Sequence, residues 1–355
     1  MKQILLNPGP ANTSDNVKKA LIVDDICPRE KSFGEVMKSI QNDITNFLSD
    51  TPDDYETVLF SSSGTGAVEA MLTAVYDKDD ETLVIINGEY GWRATEILEA
   101  YNLKWNFLSF AAELNFEKID LYLKSNPQTQ RVFVVHLETS SGVLNDIKTL
   151  GKICQKHSIE FLIDAMSSAF AYPIKMEECG IHYLACSSNK NLQAMPGVSM
   201  VVTNKKMLES VNSVSYYFDL KAQAESMRGT GQMRFTPPVQ LLYAMQEAIN
   251  ELKDETIELR LKRYMRLSDM ISVRMQHLGF ERYLPEEISG HIITSFVCPE
   301  GFDFDDYHDF LYDKGVTVYP GKVRGTSTFR IANIGHLSVE DIQKFLKLTY
   351  VYGDN

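Results

Sequence analysis

The chain is poor in cysteine, with five thiols in 355 residues, at Cys27, Cys154, Cys179, Cys186 and Cys298. Their number is odd, none forms a C-x-x-C pair, and no spacing with histidine matches a metal site. A disulfide framework is therefore not expected, and neither is a bound metal. Scattered free thiols fit a reducing, cytoplasmic setting. Positive charge is also in deficit: 35 Lys and Arg face 48 Asp and Glu, a formal charge of −13. That balance argues against nucleic acid and against an anionic membrane surface as partners. It still admits an anionic small molecule, because a few arginines and helix N-termini can hold one. No apolar run approaches the ~18 residues a membrane span requires. The opening Met1–Pro10 stretch meets Pro8-Gly9-Pro10 after three apolar residues, unlike a secretory signal. Repeats, low-complexity tracts and Pro/Gly/Ser linkers are missing too.

The remaining composition, 44% hydrophobic and 23% charged, is that of a globular protein. Phe33, Val36, Met37, Ile40, Ile44, Phe47 and Leu48 recur at helical spacing. From Thr57 onward, short apolar runs alternate with helical patterns. The runs are 58–60, 83–86, 105–110, 132–135, 161–163, 183–186 and 198–202; the helical patterns are 65–75, 91–101, 116–124 and 146–157. Continuous apolar strands joined by amphipathic helices predict an α/β fold, a mostly parallel sheet covered by helices on both faces. Sites in such sheets gather at the carboxyl ends of the strands. Beyond about residue 235 the pattern becomes long helices, then strands at 292–297 and 328–332. This predicts a large domain over 1–240, including an N-terminal arm, and a smaller α+β domain over 241–355. Ser338-Val339-Glu340-Asp341 reads as a capping box that opens the last helix.

Several strand ends carry residues suited to chemistry. Ser61-Ser62-Ser63-Gly64-Thr65-Gly66 lies between a strand and a helix, where main-chain N–H groups and the helix dipole suit a phosphate. Alone it reads equally well as a plain turn. Tyr90, between Gly88 and Gly91 after the 83–86 strand, could cover a flat ring or be an ordinary half-buried tyrosine. His136 to Gly142 crowds hydroxyls at another strand end, and a capped turn also explains them. Asp164 ends the Phe161-Leu162-Ile163 strand, where a buried carboxylate needs a cation or a donor; capping its own turn is the other reading. Lys190 follows the Tyr183–Cys186 strand and Ser187-Ser188-Asn189. An amine held there can be desolvated into its neutral, nucleophilic form. A lysine for an aldehyde and an aspartate for a pyridine nitrogen, both at strand ends of one sheet, together describe a site for pyridoxal phosphate.

With these residues, the chain resembles the fold-type I pyridoxal phosphate enzymes, within the small-aminotransferase group that includes alanine–glyoxylate and serine–pyruvate transaminases. The resemblance runs from Leu6-Asn7-Pro8-Gly9-Pro10 to Phe329-Arg330-Ile331-Ala332-Asn333-Ile334-Gly335. Its most specific pieces are Asp164-Ala165-Met166-Ser167-Ser168, Ser187-Ser188-Asn189-Lys190, Arg234-Phe235-Thr236-Pro237 and Tyr319-Pro320-Gly321-Lys322. It implies that Lys190 binds the cofactor aldehyde and later moves a proton, and that Asp164 keeps the pyridine nitrogen protonated. Tyr90 would stack on the ring, where several relatives carry tryptophan, and Thr139 would bond the ring hydroxyl. Ser63, Gly64, Thr65 and Asn189 would hold the phosphate, with Thr236 reaching it from the neighbouring subunit of a homodimer with shared sites. Arg330 would bind the anionic end of the substrate, and Pro8 and Gly9 would line the substrate mouth.

The activity so implied exchanges an amino group between 2-aminoethylphosphonate and pyruvate. The Asp25–Glu30 segment resembles members that make the phosphonate. Arg29 and Arg324 are further candidates for its anionic group, with a solvated surface arginine as the favoured reading of both. Alanine–glyoxylate or serine–pyruvate transamination is the alternative. A desulfurase or lyase is disfavoured, because the 320–329 loop lacks cysteine. A non-enzymatic cofactor-binding role is disfavoured by the presence of both Asp164 and Lys190.

Overall fold

A computed structural model describes residues 2–77, 79–323 and 325–353. Helix α1, Lys31–Leu48, buries Phe33, Met37, Ile40, Ile44 and Leu48. Successive spacings of four, three, four and four residues place these side chains on one stripe, and each contributes roughly 1.5–3 kcal/mol on burial. The stripe packs on β1, Tyr55–Phe60, every residue of which is buried.

The chain then weaves one seven-stranded sheet. After β1 come helix α2 (Gly64–Thr73), β2 (Glu81–Ile86), helix α3 (Glu89–Ala100) and β3 (Trp105–Ser109). Strand β4 is Thr129–Val135, β5 is Glu160–Asp164, β6 is Tyr183–Ser187 and β7 is Ser199–Asn204. The spatial order is β1-β7-β6-β5-β4-β2-β3. All adjacent pairs are parallel except those made by β7, which runs against both β6 and β1. Strands β1, β4, β5 and β6 are buried at every residue but Gln130, with apolar runs at their centres, as a sheet covered on two faces demands. The edge strand β3 is the wet exception, with Asn106 and Phe107 exposed.

Helices α4, Val239–Glu255, and α5, Ile257–His277, meet at Thr256. Its φ of +64° breaks the helix, and its hydroxyl accepts from Leu259 N–H to start the next. The long helices expected beyond residue 235 are thus two rods joined at one residue. A second hydrophobic core gathers Leu267, Ile271 and Met275 of α5, the strands β8 (Ile293–Val297) and β9 (Thr328–Ala332), and the last helix, Val339–Gly353. Ile4 and Leu6 join this core, because Ile4–Leu5 pairs in parallel with Val316–Thr317. The first residues therefore stitch onto the last third of the chain before the sheet begins. No helix among the described residues is long and apolar enough to cross a membrane.

Candidate active site

The parallel strands point their carboxyl ends at one cleft. Gly64, Thr65, Tyr90, Thr139, Asp164, Asn189 and Lys190 line it, together with Val68, Arg93, Leu137, Met166 and Ser167. They come from the loops after β1, β2, β4, β5 and β6, so residues scattered over more than a hundred positions meet because the strands lie side by side. A larger groove between α1 and Met227–Gln232 shares none of them and opens at the other end of β1, near Tyr55 and Glu56.

Lys190 retains some surface toward the cleft, while its amine lies among protein atoms. Nζ donates to the carbonyl of Pro8. Gly9 passes so close that a Cβ there would lie 2.7 Å from Nζ. The arm is pinned by Ala11 N–H, which donates to the Asn189 carbonyl at 3.0 Å. Burial pulls the Lys190 amine down to about 8; Asp164 opposes this, and Arg330 and Arg93 add to it. Near neutral pH a useful fraction is then uncharged.

Asp164 ends β5, buried, with Oδ1 accepting from Met166 N–H at 2.9 Å. Among the described residues no donor meets its other oxygen, and the residue lines the cleft. Desolvation pushes this carboxyl up to about 6, against the pull of the Met166 hydrogen bond and, more weakly, of Lys190 and Arg93. A carboxylate left in this state wants a cation facing it.

Helix α2 begins at N-cap Ser63, which makes no side-chain capping bond. Gly66 N–H returns to the Ser63 carbonyl, whereas Gly64 and Thr65 N–H have no partner among the described residues. Unsatisfied N–H groups at the start of a ten-residue helix make a ready anion cradle. Ser63 itself is exposed beside it.

Arg330, on β9, is 2% exposed. Its Nε donates to the Pro320 carbonyl at 3.0 Å and one Nη donates to the Thr139 carbonyl at 2.8 Å. Two carbonyls thus aim the fork, and among the described residues its remaining N–H groups make no other hydrogen bond, which leaves them for an anion. Burial works against its charge, and Tyr90, Glu138 and Tyr319 oppose that loss.

Arg29 and Thr236 do not line this cleft. Arg29 is an exposed surface arginine, held by hydrogen bonds. Its guanidinium donates to the carbonyls of Met233 at 2.7 Å and Arg234 at 3.3 Å, while Gln232 donates back to the Arg29 carbonyl at 2.6 Å. It clamps the segment that leads to Thr236. Thr236 is exposed and outside the cleft of its own chain. Arg324 lies outside the described residues.

Two residues went unread in the sequence, Arg93 in the cleft and Glu138 behind it. Arg93 lies one turn after Tyr90 on α3, with its guanidinium 4.7 Å from the tyrosine ring centre; the i, i+3 spacing is the signal that reveals it. Glu138, adjacent to Thr139, is fully buried beneath the β2–α3 turn. A carboxylate closing an apolar strand was its signal, masked by the neighbouring hydroxyls.

The family model for class-V aminotransferases matches residues 18–339. The chain is 34% identical over 352 residues to the 2-aminoethylphosphonate–pyruvate transaminase of Phocaeicola vulgatus, covering 97% of each. It is 36% identical over 358 residues to that of Lactiplantibacillus plantarum, covering 98% of each. In fold it is similar to the alanine–glyoxylate aminotransferase of Nostoc, with a TM-score of 0.91 at 21% identity over 98% of this chain and 94% of the other. With a desolvated lysine, a buried aspartate and an open helix N-terminus around one cleft, and a family match over nearly its whole length, the chain belongs to the class-V aminotransferases, which work with pyridoxal phosphate.

Proposed function

We propose that the protein transfers the amino group of 2-aminoethylphosphonate to pyruvate, giving phosphonoacetaldehyde and L-alanine. The observation that carries the substrate pair is the similarity at 34–36% identity over almost the full chain to curated relatives of that name. The geometry supports the reaction class, because Lys190 and Asp164 face one cleft with Arg330 aimed by two carbonyls.

The residues present suit pyridoxal phosphate. Asp164 has an unpaired, desolvated oxygen for the pyridine N–H. The α2 N-terminus, with Ser63, Gly64, Thr65 and Asn189, suits the phosphate. Tyr90 would cover the ring, and Thr139 would hold the ring hydroxyl; both line the cleft. When bound, the cofactor supplies an aldehyde for the amine and a sink for the electrons of the Cα–H bond. With the cofactor bound, the neutral Lys190 amine would accept the proton from the amino-bearing carbon of the substrate and later give it back. Arg330 holds the phosphonate of one substrate and the carboxylate of the other, since a planar fork accepts both. Pro8 and Gly9 close the lysine side and keep water from the amine.

The protein acts in this reading as a homodimer in which Thr236 of a second copy completes the phosphate site. Its support is the exposed aromatic group beside that residue. Tyr217 stacks on Phe235 at 5.1 Å, and Tyr216 is 79% exposed. A cytoplasmic setting is supported by five free cysteines, Cys27 among them on the surface. The two hydrophobic cores support two bodies, with Val239 to Tyr264 still packing in the first, and Ile4, Leu6 and most core residues from Leu267 on in the second.

The test is an absorbance titration of the purified protein. Conversion of the bound cofactor's spectrum by 2-aminoethylphosphonate, reversed by pyruvate, is expected. No change with that amine, but turnover of serine or alanine with glyoxylate, overturns the substrate assignment.

A further inference from the structure

Glu138 is fully buried, yet nothing in the reaction so far uses it. Its Oε1 accepts from the Ser140 N–H at 2.9 Å and from the Ser140 hydroxyl at 2.6 Å. Its Oε2 accepts from the Tyr90 N–H at 3.2 Å. The Ser140 oxygen in turn accepts from the Glu89 N–H at 3.2 Å. Two N–H groups in the first turn of α3, which no helix carbonyl can satisfy, therefore end on the Glu138–Ser140 pair. Gly88 closes the packing: a Cβ there would lie 2.2 Å from Glu138 Cδ and 2.4 Å from Ser140 Oγ.

Every contact to Glu138 is a donor, so the ionised, acceptor-only form fits. The positive end of α3 favours the same form. Burial raises this carboxyl's pKa, and the Ser140 and Tyr90 hydrogen bonds work the other way. A helix brace alone would account for these bonds. What goes beyond a brace is where its two ends lead. One end carries the Tyr90 ring into the cleft. The other is Thr139, which lines the cleft and whose carbonyl receives Arg330.

We propose that Glu138 is a positioning residue that sets the Tyr90 ring and the Thr139 turn at the spacing the cofactor ring requires, and through Thr139 aims Arg330 at the substrate anion. The proposal rests on the reading of Tyr90 as the stacking residue.

The experiment uses the holoenzyme and Glu138→Gln. The amide keeps the shape but must turn its NH2 toward one set of donors. Facing Ser140 it would meet an N–H and a hydroxyl already accepting from Glu89, so it turns toward Tyr90 and that bond is lost. The cofactor dissociation constant is expected to rise about tenfold or more, the loss of one charge-assisted hydrogen bond. The visible circular dichroism of the bound cofactor should weaken, and KM for the anionic amine should rise more than kcat falls.

A merely structural role would lower the thermal midpoint and leave the dichroism and dissociation constant of the folded fraction unchanged; that result overturns the proposal. Should Glu138→Gln fail to fold, Ser140→Ala keeps the charge and loosens the same turn. A several-fold shift of the same two readouts supports the proposal, and none overturns it. Tyr90→Ala separates the two readings. If it leaves the dichroism unchanged, the stacking role itself fails. If it changes the signal while Glu138→Gln does not, the failure belongs to Glu138.

Discussion

The Lys190 amine rests against the backbone of Gly9, the hydrogen bond going to the Pro8 carbonyl one residue before. A segment that belongs to the second core by its first residues thus returns to shield the lysine at the centre of the sheet. The amine is kept from water by main chain, which offers it one acceptor and no counter-charge.

Gly9 has φ +131°, and a Cβ there would meet the Lys190 side chain within 2.8 Å. Gly9→Ala should carry ~1–3 kcal/mol of strain and displace the amine. Borohydride trapping of the cofactor on the peptide containing residue 190 should drop well below wild type, with far-ultraviolet dichroism retained. Wild-type trapping would contradict the contact.

The low Lys190 pKa makes a kinetic prediction. Capture of pyridoxal phosphate by the apoenzyme needs the neutral amine, so its rate should climb with pH up to about 8 and then level. A lysine with its ordinary value near 10.5 would still be gaining rate above pH 9. Lys190→Ala should bind cofactor without a reducible bond.

The raised pKa of Asp164 makes its charge costly to the folded apoenzyme. Its folded value is raised to about 6 above an ordinary 3.8, so the folded apoenzyme bears a cost that is full above pH 6 and absent below pH 4. Asp164→Asn, which keeps an acceptor for Met166 N–H, removes that cost. The apo variant should be more stable than apo wild type at pH 7, on the order of 2–3 kcal/mol. The gap should close as pH falls through 6 toward 4. With cofactor present the order should reverse, because the pyridine N–H loses its carboxylate. Urea midpoints at pH 4, 6 and 7.5 read both arms.

Arg330→Lys keeps one positive charge but loses the donors to Pro320 and Thr139 and the planar grip. KM for 2-aminoethylphosphonate and for alanine should rise together by about 10- to 100-fold, as expected when a charge-assisted pair is broken. Cofactor retention should change far less. A rise for one substrate alone would mean the two anions do not share Arg330.

Much of the site is legible along the chain because each β-strand ends at a visible break. Asp164 after Phe161–Ile163 and Lys190 after Tyr183–Ser187 announce themselves as polar residues at the tips of apolar runs. Glu138 is less visible, because its meaning depends on Gly88 and Tyr90 some fifty residues earlier. Arg29 is the surface arginine its sequence setting favours, but its partners could not be read there. The carbonyls of Met233 and Arg234 and the side chain of Gln232 are remote in sequence, and only the fold brings them to it. The long helices expected beyond residue 235 are found at Val239–Glu255 and Ile257–His277, but the positive φ of Thr256 that turns one into the other is foretold by no propensity.

By its own pattern, then, the sequence determined the alternation of strands and helices and the chemistry at each strand tip, because burial periodicity is a local property of the chain. Tertiary structure alone decided which tips face one another and how far Lys190 and Asp164 are removed from water. It also decided that an N-terminal arm covers the lysine. Strand order and desolvation arise from contacts between distant segments, and no local window of residues encodes them.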